Sequence, residues 1–95
     1  KQQVIEQKYV KQILAVMSTA GLYDNAGEWL YTTGLPAKSG VGGGIIAVSP
    51  GKFGIATFSP RLDEAGNSVR GQKAIAYITE ALKANPYDVR PVGLR

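Results

Sequence analysis

Tyr23 and Lys38 are the side chains here whose types and settings could do polar chemistry, and glycines 40, 42, 43 and 44 follow closely behind Lys38. Lys38 stands among small residues in "AKSG", a setting that points to a partly sheltered ammonium rather than a plain surface lysine. A sheltered ammonium can orient hydroxyls, position an anion or lower a neighbour's pKa. Tyr23 lies in "GLYDNAGE", between the expected end of one helix and the start of the next. A phenol held there either presents its hydroxyl to a cleft or plugs the core, and the residues alone leave both open. Asp24 beside it reads as a capping or turn residue rather than a general base. The glycines also have two readings. They let a helix pack closely on a strand, or they let a substrate lie along the strand with N–H groups free to bind a carboxylate or oxyanion.

Several chemistries are excluded. The third glycine of a dinucleotide fingerprint would fall on Ile45, and no Gly-Lys-Ser/Thr run opens a helix, so no nucleotide cradle is expected. Ser49-Pro50-Gly51-Lys52 matches the Ser-x-x-Lys pattern of serine acyltransferases, but Pro and Gly place it on a turn. That chemistry needs both side chains on one face of a helix. The sequence has no cysteine and no histidine, which removes disulfides, thiolate metal sites and histidine-dependent triads. No metal and no cofactor is expected. Eleven basic residues against seven acidic give a net charge of +4, but the basic residues are scattered. A nucleic-acid footprint would form a patch with interleaved aromatics, so nucleic acid is not the expected partner. No apolar run approaches membrane-spanning length and nothing resembles a signal peptide, so no membrane role is expected and the cytoplasm is the default compartment.

The elements that must position these residues follow from periodicity. Val10, Ile13, Leu14 and Met17 share one face of a helix over Val4–Ala20, a stripe expected to pack in the core, with Gly21 as its C-cap. Asn25 and Glu28 read as a capping box opening a short helix through Trp29 and Leu30, ended by Gly34 and Pro36. "IIAVS" (Ile45–Ser49) and "KFGIATFS" (Lys52–Ser59) read as strands joined by a type II turn at Pro50-Gly51. A loop over Pro60–Gly66 leads to a last helix N-capped by Asn67, with Gly71, Ala74, Ile75, Ile78, Ala81 and Leu82 as its apolar stripe. Asn85-Pro86 closes it, leaving residues 86–95 as an extended tail. The class is α+β, an antiparallel hairpin flanked by helices. A composition of 44% hydrophobic and 19% charged residues in a chain of 95 fits one ordered domain or a part of one. Two strands make a poor sheet, so residues 1–95 read as a single partial domain that wants further strands or a partner.

Taken together, "YDNAGE", "GLPAKSGVGGGI" and "FSPRLDEAGNSVRG" resemble the serine-dependent glutaminases, in that family's order and spacing, from about Ile13 to Ala84. The resemblance implies the C-terminal part of a domain with the β-lactamase and penicillin-binding-protein fold. It also implies hydrolysis of L-glutamine to L-glutamate and ammonia with no cofactor. In that family a serine attacks the side-chain amide and a lysine acts as base, both from a Ser-x-x-Lys motif well upstream of any residue present here. The family's asparagine and glutamate ligands for substrate are likewise upstream.

Residue by residue, the resemblance makes Tyr23 the catalytic and substrate-binding tyrosine beside the nucleophile. Val41 becomes the substrate-binding position whose backbone contacts the glutamine amide near the oxyanion. Lys38, Ser39 and Gly40 look like the Lys-Thr-Gly element of the equivalent β-lactamase strand and form a supporting motif. "STAGLYD" replaces the commoner "LTCGMYD", and the tail after Asn85 departs from the family pattern. The expected function is one wall of a glutaminase active site, inactive without the upstream half of the domain. The alternative is a non-catalytic, truncated relative that self-associates as an interaction module. The expected partners are L-glutamine and either the N-terminal half of the domain or a second copy in a homo-oligomer.

Overall fold

The computed structural model describes residues 1–89; the end of the expected tail, residues 90–95, lies outside the described residues. Helix α1 (Gln7–Ala20) leads through a 3₁₀ turn (Tyr23–Asn25) into α2 (Ala26–Thr32). Strands β1 (Ala37–Ser39), β2 (Gly44–Ser49) and β3 (Phe53–Phe58) follow, then α3 (Val69–Ala81). The strands form one antiparallel sheet in the order β1-β2-β3. Ala37 stands opposite Ala47 and Ser39 opposite Ile45, while Ile45 faces Thr57 and Ala47 faces Ile55. No helix among the described residues is long and apolar enough to cross a membrane.

The β2–β3 hairpin has the expected turn. Lys52 N–H donates to the Ser49 carbonyl at 2.9 Å, and Gly51 takes φ +76°, which position i+2 of a type II turn requires. The third strand, β1, is an addition to the sequence reading. It places Lys38 within the sheet rather than ahead of it, with Ala37 and Ser39 buried and Lys38 exposed. Period-2 alternation accounts for that pattern.

The core joins Leu22, Trp29, Leu35, Ala37, Ile45, Ala47 and Ile75, with Ile55 packed against it. Trp29 Nε1–H donates to the Leu35 carbonyl at 2.9 Å, which ties α2 to the segment entering β1. On α3 the buried residues are Gly71, Ile75 and Thr79, whereas Ala74, Ala81 and Leu82 of the expected stripe are exposed. The cap also differs by one residue. Ser68, not Asn67, caps α3, its Oγ accepting from Gly71 N–H at 3.0 Å. Asn25 does precede α2, but its side chain makes no capping bond.

The expected burial of the α1 stripe is corrected. No residue of α1 is buried; Val10, Ile13, Leu14 and Met17 line an open apolar groove with Ile46, Val48 and Pro50. Ile46 and Val48 point to the sheet face away from Ile45 and Ala47, so periodicity set the stripe correctly but could not say what lies across from it. Gly21 is the C-cap of α1, as expected, with φ −80° and ψ −21°. Its role is close approach: a Cβ there would fall 1.7 Å from the Ala37 carbonyl oxygen, so only glycine admits β1 at this distance.

Candidate functional site

Gly40 to Gly43 make the tight connection between β1 and β2. Gly40 N–H donates to the Gly44 carbonyl at 2.9 Å, and Gly43 N–H to the Gly40 carbonyl at 3.0 Å. Val41 and Gly42 therefore form the tip. Among the described residues the Val41 N–H has no hydrogen-bond partner, and the Val41 side chain is 69% exposed. Side chains at Gly40 or Gly42 would meet nothing within 4 Å, so no helix packs on these two glycines. Gly43 is different: φ is +106° and a Cβ would stand 2.7 Å from the Ser59 carbonyl oxygen. The close helix packing that glycine permits occurs on α3 instead, at Gly71, where a Cβ would meet Thr57 Oγ1 at 2.8 Å.

Tyr23 opens the 3₁₀ turn after α1 with φ +52°, the left-handed region. For a residue with a Cβ that conformation costs roughly 1–2 kcal/mol and persists only where the surroundings hold it. Here the Leu22 carbonyl accepts from Asn25 N–H at 3.0 Å and from Asn67 Nδ2 at 3.0 Å. At about 1 kcal/mol for each such bond, the two together match the strain. Tyr23 is 45% exposed, so its ring is not a plug buried in the core.

The loop before α3 brings these pieces together. A Cβ on Gly66 would lie 3.8 Å from the Tyr23 ring and 3.8 Å from Val41 Cγ1, so both side chains flank one point of the backbone. Lys38 is exposed rather than sheltered, but it is aimed: its Nζ lies over the Tyr23 ring. Ser39 is buried, with its hydroxyl donating to Asn67 Oδ1 and its N–H to the Gly21 carbonyl at 3.1 Å. Asp24 sits in the 3₁₀ turn and lines an open cleft with Asn25, Asp63 and Glu64. Asp63 closes the loop by accepting from Asn67 N–H at 3.0 Å and from Gln72 Nε2 at 3.0 Å. The Gln72 bond, then the Asn67 N–H, holds its carboxyl below the usual carboxylate range.

Tyr23 thus has the Lys38 ammonium over its ring and flanks Gly66 together with Val41, while Ser39 and Gly40 lie between Lys38 and Val41 in the chain. The sequence reads Gly66 only as loop and Asn67 only as a helix cap. Their place at the site comes from tertiary contact, and a glycine inside "EAGNS" was the only signal.

Among the described residues, a cation, a tyrosine in the left-handed region and a backbone N–H without a hydrogen-bond partner thus gather around the turn between β1 and β2. The Glutaminase family model matches residues 1–87, and this chain belongs to that family. Among curated relatives, a glutaminase of Colwellia psychrerythraea is 74% identical over 76 residues, which are 80% of this chain and 24% of that protein. A solved structure described as the probable glutaminase YbaS superposes with a TM-score of 0.90 at 53% identity, covering 93% of this chain and 28% of that one. A probable glutaminase from Bacillus subtilis, complexed with 6-diazo-5-oxo-L-norleucine, superposes with a TM-score of 0.85 at 34% identity, covering 90% and 30%. The chain therefore spans about a quarter of the length of the curated relatives it matches.

Proposed function

We propose that this chain is the C-terminal wall of a glutaminase active site, of the β-lactamase-like fold, which hydrolyses L-glutamine to L-glutamate and ammonia. The observation that carries the reading is the convergence of the Tyr23 ring and the Val41 turn on Gly66, with no hydrogen-bond partner for the Val41 N–H among the described residues. A serine from an upstream Ser-x-x-Lys motif attacks the side-chain amide carbon of glutamine. Charge then develops on the amide oxygen, and a fixed N–H aimed at that oxygen is worth ~10²–10³-fold in rate. The Val41 N–H supplies that bond. The Tyr23 hydroxyl stands beside the serine and handles a proton as ammonia leaves and as water cleaves the glutamyl ester. The Bacillus subtilis complex supports the substrate class, since 5-oxo-norleucine carries a carbonyl where glutamine has its side-chain amide. The reading includes a cytoplasmic setting and assembly with the N-terminal half of the domain.

A second reading, a self-associating non-catalytic relative, draws on the uncovered apolar groove between α1 and β2. One experiment separates them. The matching segment of the Colwellia psychrerythraea glutaminase is replaced by this chain, and ammonia release from glutamine is measured beside the state of association. Turnover that falls ~10²–10⁴-fold in Tyr23→Phe, with folding intact, supports the first reading. A folded chimera without turnover supports the second.

A further inference from the structure

We infer that Asn67 is a positioning residue for Tyr23: its buried carboxamide fastens the backbone just before the phenol to the strand that carries Lys38 and Ser39. The inference rests on the glutaminase reading above. Asn67 has no exposed surface, and both ends of its amide are used. Nδ2 donates to the Leu22 carbonyl at 3.0 Å, and Oδ1 accepts from the Ser39 hydroxyl. Leu22 precedes Tyr23, so this bond fixes the peptide plane from which the left-handed tyrosine departs. Ser39 is itself anchored through its N–H to Gly21, so the far end of the brace rests on a paired strand.

The amide cannot swing away. Asn67 N–H is held by Asp63 Oδ1 at 3.0 Å, and its carbonyl accepts from Asp63 N–H at 2.8 Å. The residue before it, Gly66, takes φ +99° as the backbone passes the Tyr23 ring and Val41. One buried side chain thus links three segments: the turn bearing the phenol, strand β1 and the loop beneath them. Only a carboxamide fits, because one end must donate to a carbonyl and the other must accept from a hydroxyl. An aspartate of the same shape still accepts from Ser39, but it sets a carboxylate oxygen against the Leu22 carbonyl.

The test uses the same chimera and measures kcat and KM for glutamine separately. Asn67→Asp should lower kcat by about 10- to 100-fold, the scale of a misplaced reacting group, with KM moved much less. In the Tyr23→Phe background the same change should cost less than about threefold, because Asn67 acts through the hydroxyl that is already gone. Ser39→Ala removes only the far anchor and keeps the Leu22 bond; it should lower kcat by a few-fold and lose that effect in Tyr23→Phe. If Asn67→Asp does not fold, this second variant decides. Wild-type kcat in the variants, or losses that multiply undiminished through the Tyr23→Phe background, would overturn the positioning role while leaving the glutaminase reading intact. A folded parent chimera that releases no ammonia would remove both.

Discussion

The Nζ of Lys38 lies 4.6 Å from the centroid of the Tyr23 ring, cation over aromatic face. It also donates to the carbonyl of its neighbour Ser39, so the ammonium bridges the sheet edge and the phenol. At an exposed site such a contact is worth about 0.5–1 kcal/mol, which corresponds to roughly two- to fivefold in a rate that depends on the ring's position. Lys38→Met in the active chimera should lower kcat by that factor and leave the melting temperature nearly unchanged. Lys38→Arg should restore most of it, because a guanidinium also stacks on an aromatic face. Equal kcat in Lys38→Met and the parent would reduce the contact to a crossing of two surface side chains.

Gly71 lies inside α3, where alanine ordinarily gains about 1 kcal/mol over glycine. Here the balance reverses. A Cβ would stand 2.8 Å from Thr57 Oγ1 and 2.9 Å from Ser68 Oγ, the hydroxyl that caps the helix. Overpacking of this kind costs about 1–3 kcal/mol, and a lost cap about 1 more. Gly71→Ala should therefore destabilise the fold by about 1–3 kcal/mol in denaturant unfolding. A stabilised variant would mean that β3 yields to admit the methyl group.

Asp63 carries the pH prediction. Its carboxyl is held below the usual range by the Gln72 side chain first and the Asn67 N–H second, so the folded chain binds this proton less readily than the unfolded one. The stabilisation is present above the unfolded carboxylate value of about 3.9 and is lost as pH falls through the lower folded value. Asp63→Asn should unfold more easily than the parent near neutral pH, and the gap should close on acidification below about 4. Thermal melts across that window check it; a gap that is constant with pH would assign the difference to packing.

The hairpin was legible because Pro50-Gly51 has one favoured geometry and the flanking residues read as strands. β1 was not, since three residues between Pro36 and Gly40 are too few to show an alternation, and pairing with β2 makes them a strand. Asn67 and Ser68 are both good capping residues, so sequence could not choose between them. The structure gives the cap to Ser68, which leaves the Asn67 amide free to span Leu22 and Ser39. Tyr23 stands out by its place between two helix ends, whereas Val41 enters only through motif resemblance; no spacing rule brings them together. Their meeting point at Gly66 depends on a loop path that only the folded chain reveals.

Helix α1 holds fourteen residues and buries none of them. Unwinding it would expose little new apolar surface, so its amides belong at the low end of the scale of local opening energies. Strand β2, with Ile45, Ala47 and Ser49 inside, belongs at the high end. Burial within this chain thus orders the two elements, α1 below β2 in expected opening energy. In hydrogen exchange α1 would trade its protons early, while the Leu22–Asn67–Ser39 brace, rooted in the slow half, keeps Tyr23 in place through each opening.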